Sequence, residues 1–239
     1  MNISDEQKTL LRSLYKDGLT FHDVCTKLQN KEPFTYSRFG DGEFAAIYAA
    51  QYNEPGANCD GHQYFQDMGF ELAEILKSKR SYHIGIDTSE RPAKVQKTLG
   101  FLIDNDLTDK QYARSDLFHI ALVHQHFKRF FEAISERDII VIGPQYLDKL
   151  AILSEGTGIQ HIIIPDSNCW LYTDDVLERL LVSDVEGKVL LFIASMAANV
   201  WIDRLWQVYG DSVTLIDLGS ALDPYCSKMT RSFHKKLEI

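Results

Sequence analysis

The chain has no long apolar run, no paired-cysteine motif and no surplus of positive charge. Each absence removes a class of protein. Apolar runs such as Val189 to Ala194 are too short to cross a bilayer. The start, Met1-Asn2-Ile3-Ser4-Asp5-Glu6, lacks a basic stretch followed by an apolar one, so no secretory signal is read there and a cytoplasmic location is expected. The four cysteines, Cys25, Cys59, Cys169 and Cys226, are widely spaced and form no C-x-x-C pair, which excludes a zinc ribbon and a thioredoxin-like site and leaves reduced thiols. No dinucleotide fingerprint or Walker A loop is present. Ser195 lacks the flanking glycines of a nucleophile elbow, which argues against a serine hydrolase. The net charge of −9 does not favour a polyanion over the whole surface. A local basic tail, Lys228 to Lys236, is the exception. Repeats and low-complexity segments are absent.

What remains is an ordinary globular composition, 45% hydrophobic and 25% charged over 239 residues. This suits one large α/β domain, expected over 1–239: N-terminal helices in 1–32, an α/β core in 33–225 and the basic tail in 226–239. Ser4 with Gln7 is a capping-box pattern ahead of Leu10, Leu11 and Leu14. Thr20 with Asp23 opens a second helix that stops before Pro33. Six runs rich in β-branched or aromatic residues then predict strands: Phe34 to Phe39, Tyr82 to Ile86, Asp138 to Ile142, His161 to Ile164, Val189 to Ala194 and Val213 to Leu218. Helical patterns lie between them, at Phe65 to Lys77, Asp116 to Ile134, Asp174 to Leu181 and Ala197 to Tyr209. Continuous apolar runs, including Ile162 to Ile164, suit strands covered on both faces. The expected fold is therefore Rossmann-like α/β, a mainly parallel sheet with helices on both faces and an N-terminal helical extension. Gly56 to Gly61 reads as a flexible polar loop.

Ligands of open parallel sheets bind beyond the carboxyl ends of the strands. The residues that follow the six runs are Gly40 to Glu43, Asp87 with Thr88, Gly143 with Pro144, Pro165 to Asn168, Ser195 with Met196, and Gly219 with Ser220, with Asp217 just before the last pair. Asp41-Gly42-Glu43 sets two carboxylates two residues apart at a strand-to-helix turn. Hard divalent cations take such oxygens, and Mg²⁺ commonly uses one or two carboxylates plus substrate phosphates. Gly40 and Gly42 permit close backbone approach. Arg38 suits a phosphate or one of the carboxylates. A plain turn with acidic residues at a helix start explains the same pattern without chemistry.

Arg38-Phe39-Gly40-Asp41-Gly42-Glu43-Phe44 resembles the signature of the glycosyltransferase family with the GT-D fold, formerly a domain of unknown function, which carries an Asp-x-Glu motif in this setting. Ile140 to Gly143, Ile163 to Asn168, Leu191 to Ala198 and Leu215 to Asp223 are similar to its later strand-and-loop blocks, so the likeness covers Phe34 to the C-terminus. A glycine is expected at Ser195-Met196 and is missing. The resemblance implies a nucleotide-sugar-dependent hexosyltransferase: a UDP-sugar donor, Mn²⁺ or Mg²⁺ on Asp41 and Glu43 with Arg38 beside them, and a hydroxyl acceptor on a glycan or glycoconjugate. Gly40, Gly42, Asp87, Gly143, Asn168, Ser195, Asp217, Gly219 and Ser220 are the expected donor-binding positions, with Asn168 and Asp217 assigned to base or ribose. Asp87, Asp166 and Asp223 are candidates for a general base. Two alternatives stay open, transfer to hydroxymethylated DNA bases through the basic tail with Lys128 and Arg129, and a metal-free nucleotide-binding module. His119, His124 and His126 fall on one expected helix, where a half-buried face is favoured over a metal site. Trp201, Leu205 and Tyr82 to Ile86 are expected in the core.

Overall fold

Ser4 caps the first helix reciprocally. Its hydroxyl accepts the Gln7 N–H and its own N–H donates to Gln7 Oε1, both at 3.1 Å. This starts α1 (Asp5–Tyr15), and α2 (Phe21–Gln29) follows as expected. The computed structural model describes residues 3–58, 61–150, 158–229, 231, 234 and 237. Cys59, part of the Gly56 to Gly61 loop and most of the tail from Thr230 onward lie outside the described residues.

All six expected strands form: β1 (Thr35–Phe39), β2 (His83–Ile86), β4 (Ile139–Pro144), β5 (Ile159–Ile164), β6 (Val189–Phe192) and β7 (Thr214–Asp217). A seventh, β3 (Ala113–Arg114), is too short to leave a period in the sequence. The strand order is β3-β2-β1-β7-β6-β4-β5, and every described pairing between strands is parallel. Helices α3 (Asp41–Tyr52), α4 (Gln66–Lys77), α5 (Pro92–Asp104), α6 (Leu117–Val123), α7 (Phe127–Ile134), α8 (Thr173–Leu181) and α9 (Ala197–Tyr209) alternate with them. The fold is thus the expected α/β class.

The chain divides into two compact units, Met1–Thr20 with Tyr36–Leu117, and Phe21–Thr35 with Phe118–Ile239. In the first, Phe39 pairs with Ile86 and Ile86 with Arg114, so the loops after β1, β2 and β3 leave in step. In the second, Phe192 pairs with both Ile142 and Asp217, and Pro144 with Ile164, which puts four further loops in step. Every residue of β4, β6 and β7 is buried, as strands covered on both faces must be. Trp201 and Leu205 are fully buried, as expected of core residues.

Two expectations need correction. The continuous run Ile162 to Ile164 is not covered on both faces: β5 is an edge strand, its burial alternates, and Ile163 is 45% exposed. The helix expected over Asp116 to Ile134 is two helices. Gln125 adopts φ +58°, its N–H donates to Leu122 O at 3.0 Å, and His126 N–H donates to Ala121 O at 2.8 Å, which closes α6. This is a Schellman-type end without the glycine that normally announces it. His126 therefore no longer shares a helix with His119, and among the described residues no three His, Cys, Asp or Glu side chains converge in a metal-binding group. Cys25, Cys169 and Cys226 are free and buried.

The packing that positions α3 rests on Gly69 in α4. A Cβ there would lie 2.5 Å from both Ala46 O and Ala50 Cβ of α3. A helical glycine normally costs about 1 kcal/mol relative to alanine, but the overlap outweighs that gain, since overpacking costs roughly 1–3 kcal/mol. Gly69→Ala is therefore expected to lower the melting temperature. Gly100→Ala, in α5, meets only the Tyr48 hydroxyl at 3.0 Å and is expected to be neutral or stabilising. Thermal melts of both variants test this, and a Gly69→Ala protein more stable than the parent would refute it.

Candidate functional site

The turn from β1 into α3 is built around a buried carboxylate. Gly40 N–H donates to Glu43 Oε2 at 2.7 Å, which satisfies one free donor at the helix start. Glu43 is 6% exposed. Burial pushes its carboxyl above the usual range, while the Arg38 guanidinium and the Gly40 N–H act in the opposite sense. Arg38 is itself oriented, since its Nε donates to the Ser115 carbonyl at 2.7 Å. A Cβ on Gly40 would stand 3.3 Å from Glu43 Oε2 and 3.5 Å from Arg38 Nη2, so the glycine lets these two groups close over the turn.

Asp41 has the opposite surroundings. It opens α3 with its side chain largely exposed, and its Oδ2 lies 2.7 Å from Lys94 Nζ. Lys94 Nζ is also 4.0 Å from Oδ2 of Asp87, which follows β2. The Ser89 N–H donates to Asp87 Oδ1 at 2.9 Å, whereas Asp87 Oδ2 is buried with no hydrogen-bond partner. Burial raises the Asp87 carboxyl above its ordinary range, and the charges of Asp41 and Asp116 push the same way against Lys94. Asp41, Asp87, Lys94, Lys97 and Tyr64 line a cavity of about 240 Å³. The first unit therefore brings Arg38, Gly40, Asp41, Gly42, Glu43 and Asp87 to one set of loops.

Lys94 and Lys97 were not singled out by the sequence. A signal was available: Pro92 begins α5, so Lys94 sits in a first turn where the helix dipole disfavours a cation. A lysine placed there needs an acidic neighbour, and Asp41 and Asp87 supply it.

The second unit holds the remaining expected positions. Ser195 adopts φ +50°, Asn168 φ +52° and Gly219 φ +54°. All three follow parallel strands, and each turns the chain through the left-handed region. Ser195 thus takes the conformation that glycine favours, at the point where the sequence lacks the expected glycine. Turns of this kind can point successive N–H groups outward and form anion-binding concavities. Asp217 is buried, and its Oδ1 accepts the Gly219 N–H at 2.8 Å, which fixes that loop. Ser220 Oγ lies 3.2 Å from His119 Nε2 and 3.3 Å from Arg231 Nε. Gly143 is explained by packing, because a Cβ there would lie 2.4 Å from Leu147 Cδ1. Of the other two general-base candidates, Asp223 is 2% exposed and accepts the Tyr146 hydroxyl, while Asp166 is exposed.

No family model matches the sequence, and no curated relative does. Solved structures match over most of the chain. A structure described as showing that the highly conserved domain of unknown function 1792 has a distinct glycosyltransferase fold superposes with a TM-score of 0.66 at 17% identity, covering 92% of this chain and 82% of that one. A selenomethionine-substituted structure of domain of unknown function 1792 gives 0.65 at 16% identity, with 92% and 84% covered. A new glycosyltransferase of this domain type from Streptococcus sanguinis gives 0.64 at 14%, with 87% and 82% covered. At these identities the likeness is one of fold, and the fold is the one described for the first of those structures as a distinct glycosyltransferase fold.

Proposed function

We propose that the protein is a metal-dependent glycosyltransferase that moves a hexosyl group from a nucleotide-diphosphate donor, a UDP-sugar, to a hydroxyl of a glycan or glycoconjugate. The observation that supports it most is the Asp41–Lys94–Asp87 cluster at the carboxyl ends of β1 and β2, in a fold shared with structures described as glycosyltransferases.

The residues suit a hard divalent cation, Mn²⁺ or Mg²⁺. All the acidic donors are oxygens, and the buried Oδ2 of Asp87, which has no hydrogen-bond partner and only a 4.0 Å ion pair to Lys94, is an atom that a cation would satisfy. The Lys94 ammonium lies between Asp41 and Asp87 and shows that a positive charge is accommodated there. Asp41 and Glu43 remain the proposed ligands; with Asp87 they form no ready-made group of three among the described residues, so a cation there would draw on substrate phosphate as well. Such a metal would neutralise charge developing on the leaving diphosphate. Arg38, held by the Ser115 carbonyl, offers a fixed guanidinium to that charge, and Lys94 and Lys97 supply further ammonium groups. Within the second unit, Ser195, Gly219 and Ser220 are assigned to phosphate and Asn168 to the nucleoside, while Asp217, expected there too, is buried and holds the loop by accepting the Gly219 N–H. Transfer to DNA draws no support from the described tail residues. Lys228 lies 4.6 Å above the Tyr146 ring and Arg231 is turned onto Ser220, so neither extends a phosphate-tracking stripe.

Asp41→Asn is expected to lower transfer from UDP-sugars by about 10²–10³, and chelation by EDTA to abolish it. The melting temperature should barely change, because an exposed ion pair contributes roughly 0–1 kcal/mol. Glu43→Gln keeps an acceptor for the Gly40 N–H, so its loss of transfer would report charge rather than helix capping. Normal turnover in Asp41→Asn, or full parental activity in EDTA, would falsify the proposal.

Asp87 gives a separate test in pH. Its folded carboxyl is raised, so its effect on stability is favourable below the unfolded value and is lost as pH rises through the folded one. Asp87→Asn should therefore raise the metal-free melting temperature at pH 7, each kcal/mol being worth roughly 2–4 °C in a chain of this size. The increment should vanish near pH 4, around the ordinary carboxylate range. Added Mn²⁺ should stabilise the parent more than the variant. Calorimetric scans across pH, with and without Mn²⁺, read all three effects, and a metal-free increment that grew on acidification would overturn the electrostatic assignment.

A further inference from the structure

A second cavity, of about 590 Å³, lies within the second unit at the carboxyl ends of β4 and β5. Its volume is within the roughly 300–1,000 Å³ of small-ligand sites. Tyr146, Asp166, Tyr172, Asp175, Lys228 and Gln145 give it its chemistry. The Tyr146 ring is fixed at both ends. Its hydroxyl donates to the buried Asp223 Oδ1 at 2.7 Å, and the Lys228 ammonium stands 4.6 Å from the ring centroid. Tyr172, the last residue before α8, is 50% exposed and so keeps ring surface available.

The charge of this lining decides what it can take. Two carboxylates face one ammonium, and among the described residues Asp175 has a further cationic neighbour, Arg179 at 3.6 Å. The lining therefore offers no surplus of positive charge to hold a diphosphate. A neutral, hydroxyl-rich ring needs none. Asp166 and Asp175 can accept hydroxyl hydrogen bonds, Lys228 and Gln145 can donate, and the tyrosine rings with Ile164 and Val176 offer apolar surface to the C–H faces of a sugar. Asp166 makes no hydrogen bond or ion pair among the described residues.

We infer that this cavity binds a neutral saccharide, on the acceptor side of the reaction. The inference rests on the glycosyl-transfer reading for the name acceptor, but the binding itself does not. The test uses protein labelled at isoleucine and valine methyls. It is titrated with glucose, galactose, N-acetylglucosamine and their β-1,4 disaccharides up to about 20 mM, where even millimolar affinity registers, and separately with UDP. At least one saccharide is expected to shift the Ile164 and Val176 methyls. Tyr172→Ala and Asp166→Ala should each weaken its Kd by about tenfold, with UDP affinity by calorimetry unchanged. Saccharides that leave both methyls unmoved overturn the inference, as does UDP shifting them. If no donor binds or reacts while the saccharide shifts persist, the transferase reading fails and the saccharide site stands.

Discussion

The Glu43 carboxylate, buried at the start of α3 and held by the Gly40 N–H, is the constraint on which the candidate site depends. A buried carboxylate is costly unless hydrogen-bonded and offset by a cation. Here the offset is Arg38, and Arg38 is oriented by a carbonyl from the segment after β3. The first strand with its turn, and the segment after the third, thus converge on one side chain. With Glu43 turned inward, its neighbour two residues earlier faces out, and Asp41 meets Lys94 from α5. The close fit of α3 on α4 through Gly69 keeps that helix where the pairing requires it.

The second unit solves a different problem with a repeated device. Three of its parallel strands, β5, β6 and β7, each run into a loop whose chain is turned by a left-handed residue, and the residues differ: Asn168, Ser195 and Gly219. Asparagine tolerates that region and glycine is free in it, whereas serine adopts it at a cost of about 1 kcal/mol. The position is kept although the glycine is not. Asp217 then ties the last loop down through the Gly219 N–H, while His119 and Arg231 meet at Ser220.

Much of this was legible in the sequence. The Ser4–Gln7 box, the apolar strand runs and the acidic turn after β1 are local patterns, and local patterns survive folding. What was not legible depends on partners distant in sequence. Nothing near Ile163 says that β5 is an edge strand. Gln125 ends a helix without a glycine, and β3 is set by pairing with β2 rather than by its own two residues. In the site, spacing made Asp41 and Glu43 look equivalent. The structure separates them into an exposed carboxylate paired with lysine and a buried one that caps a helix. Asp87 appeared as one polar residue after a strand. Its burial, and the oxygen left without a hydrogen bond, emerge only from packing.

The central proposal is that the acidic loops after β1 and β2, which carry Asp41 and Asp87, accept a divalent cation beside a nucleotide diphosphate. Electron paramagnetic resonance of Mn²⁺ titrated into the protein addresses it without any assumption about sugar or acceptor. One Mn²⁺ per chain is expected to leave the free-ion signal, with affinity rising when UDP is added, and the double variant Asp41→Asn with Asp87→Asn should leave the signal of free Mn²⁺ intact. Equal Mn²⁺ binding by the parent and the double variant would contradict the claim.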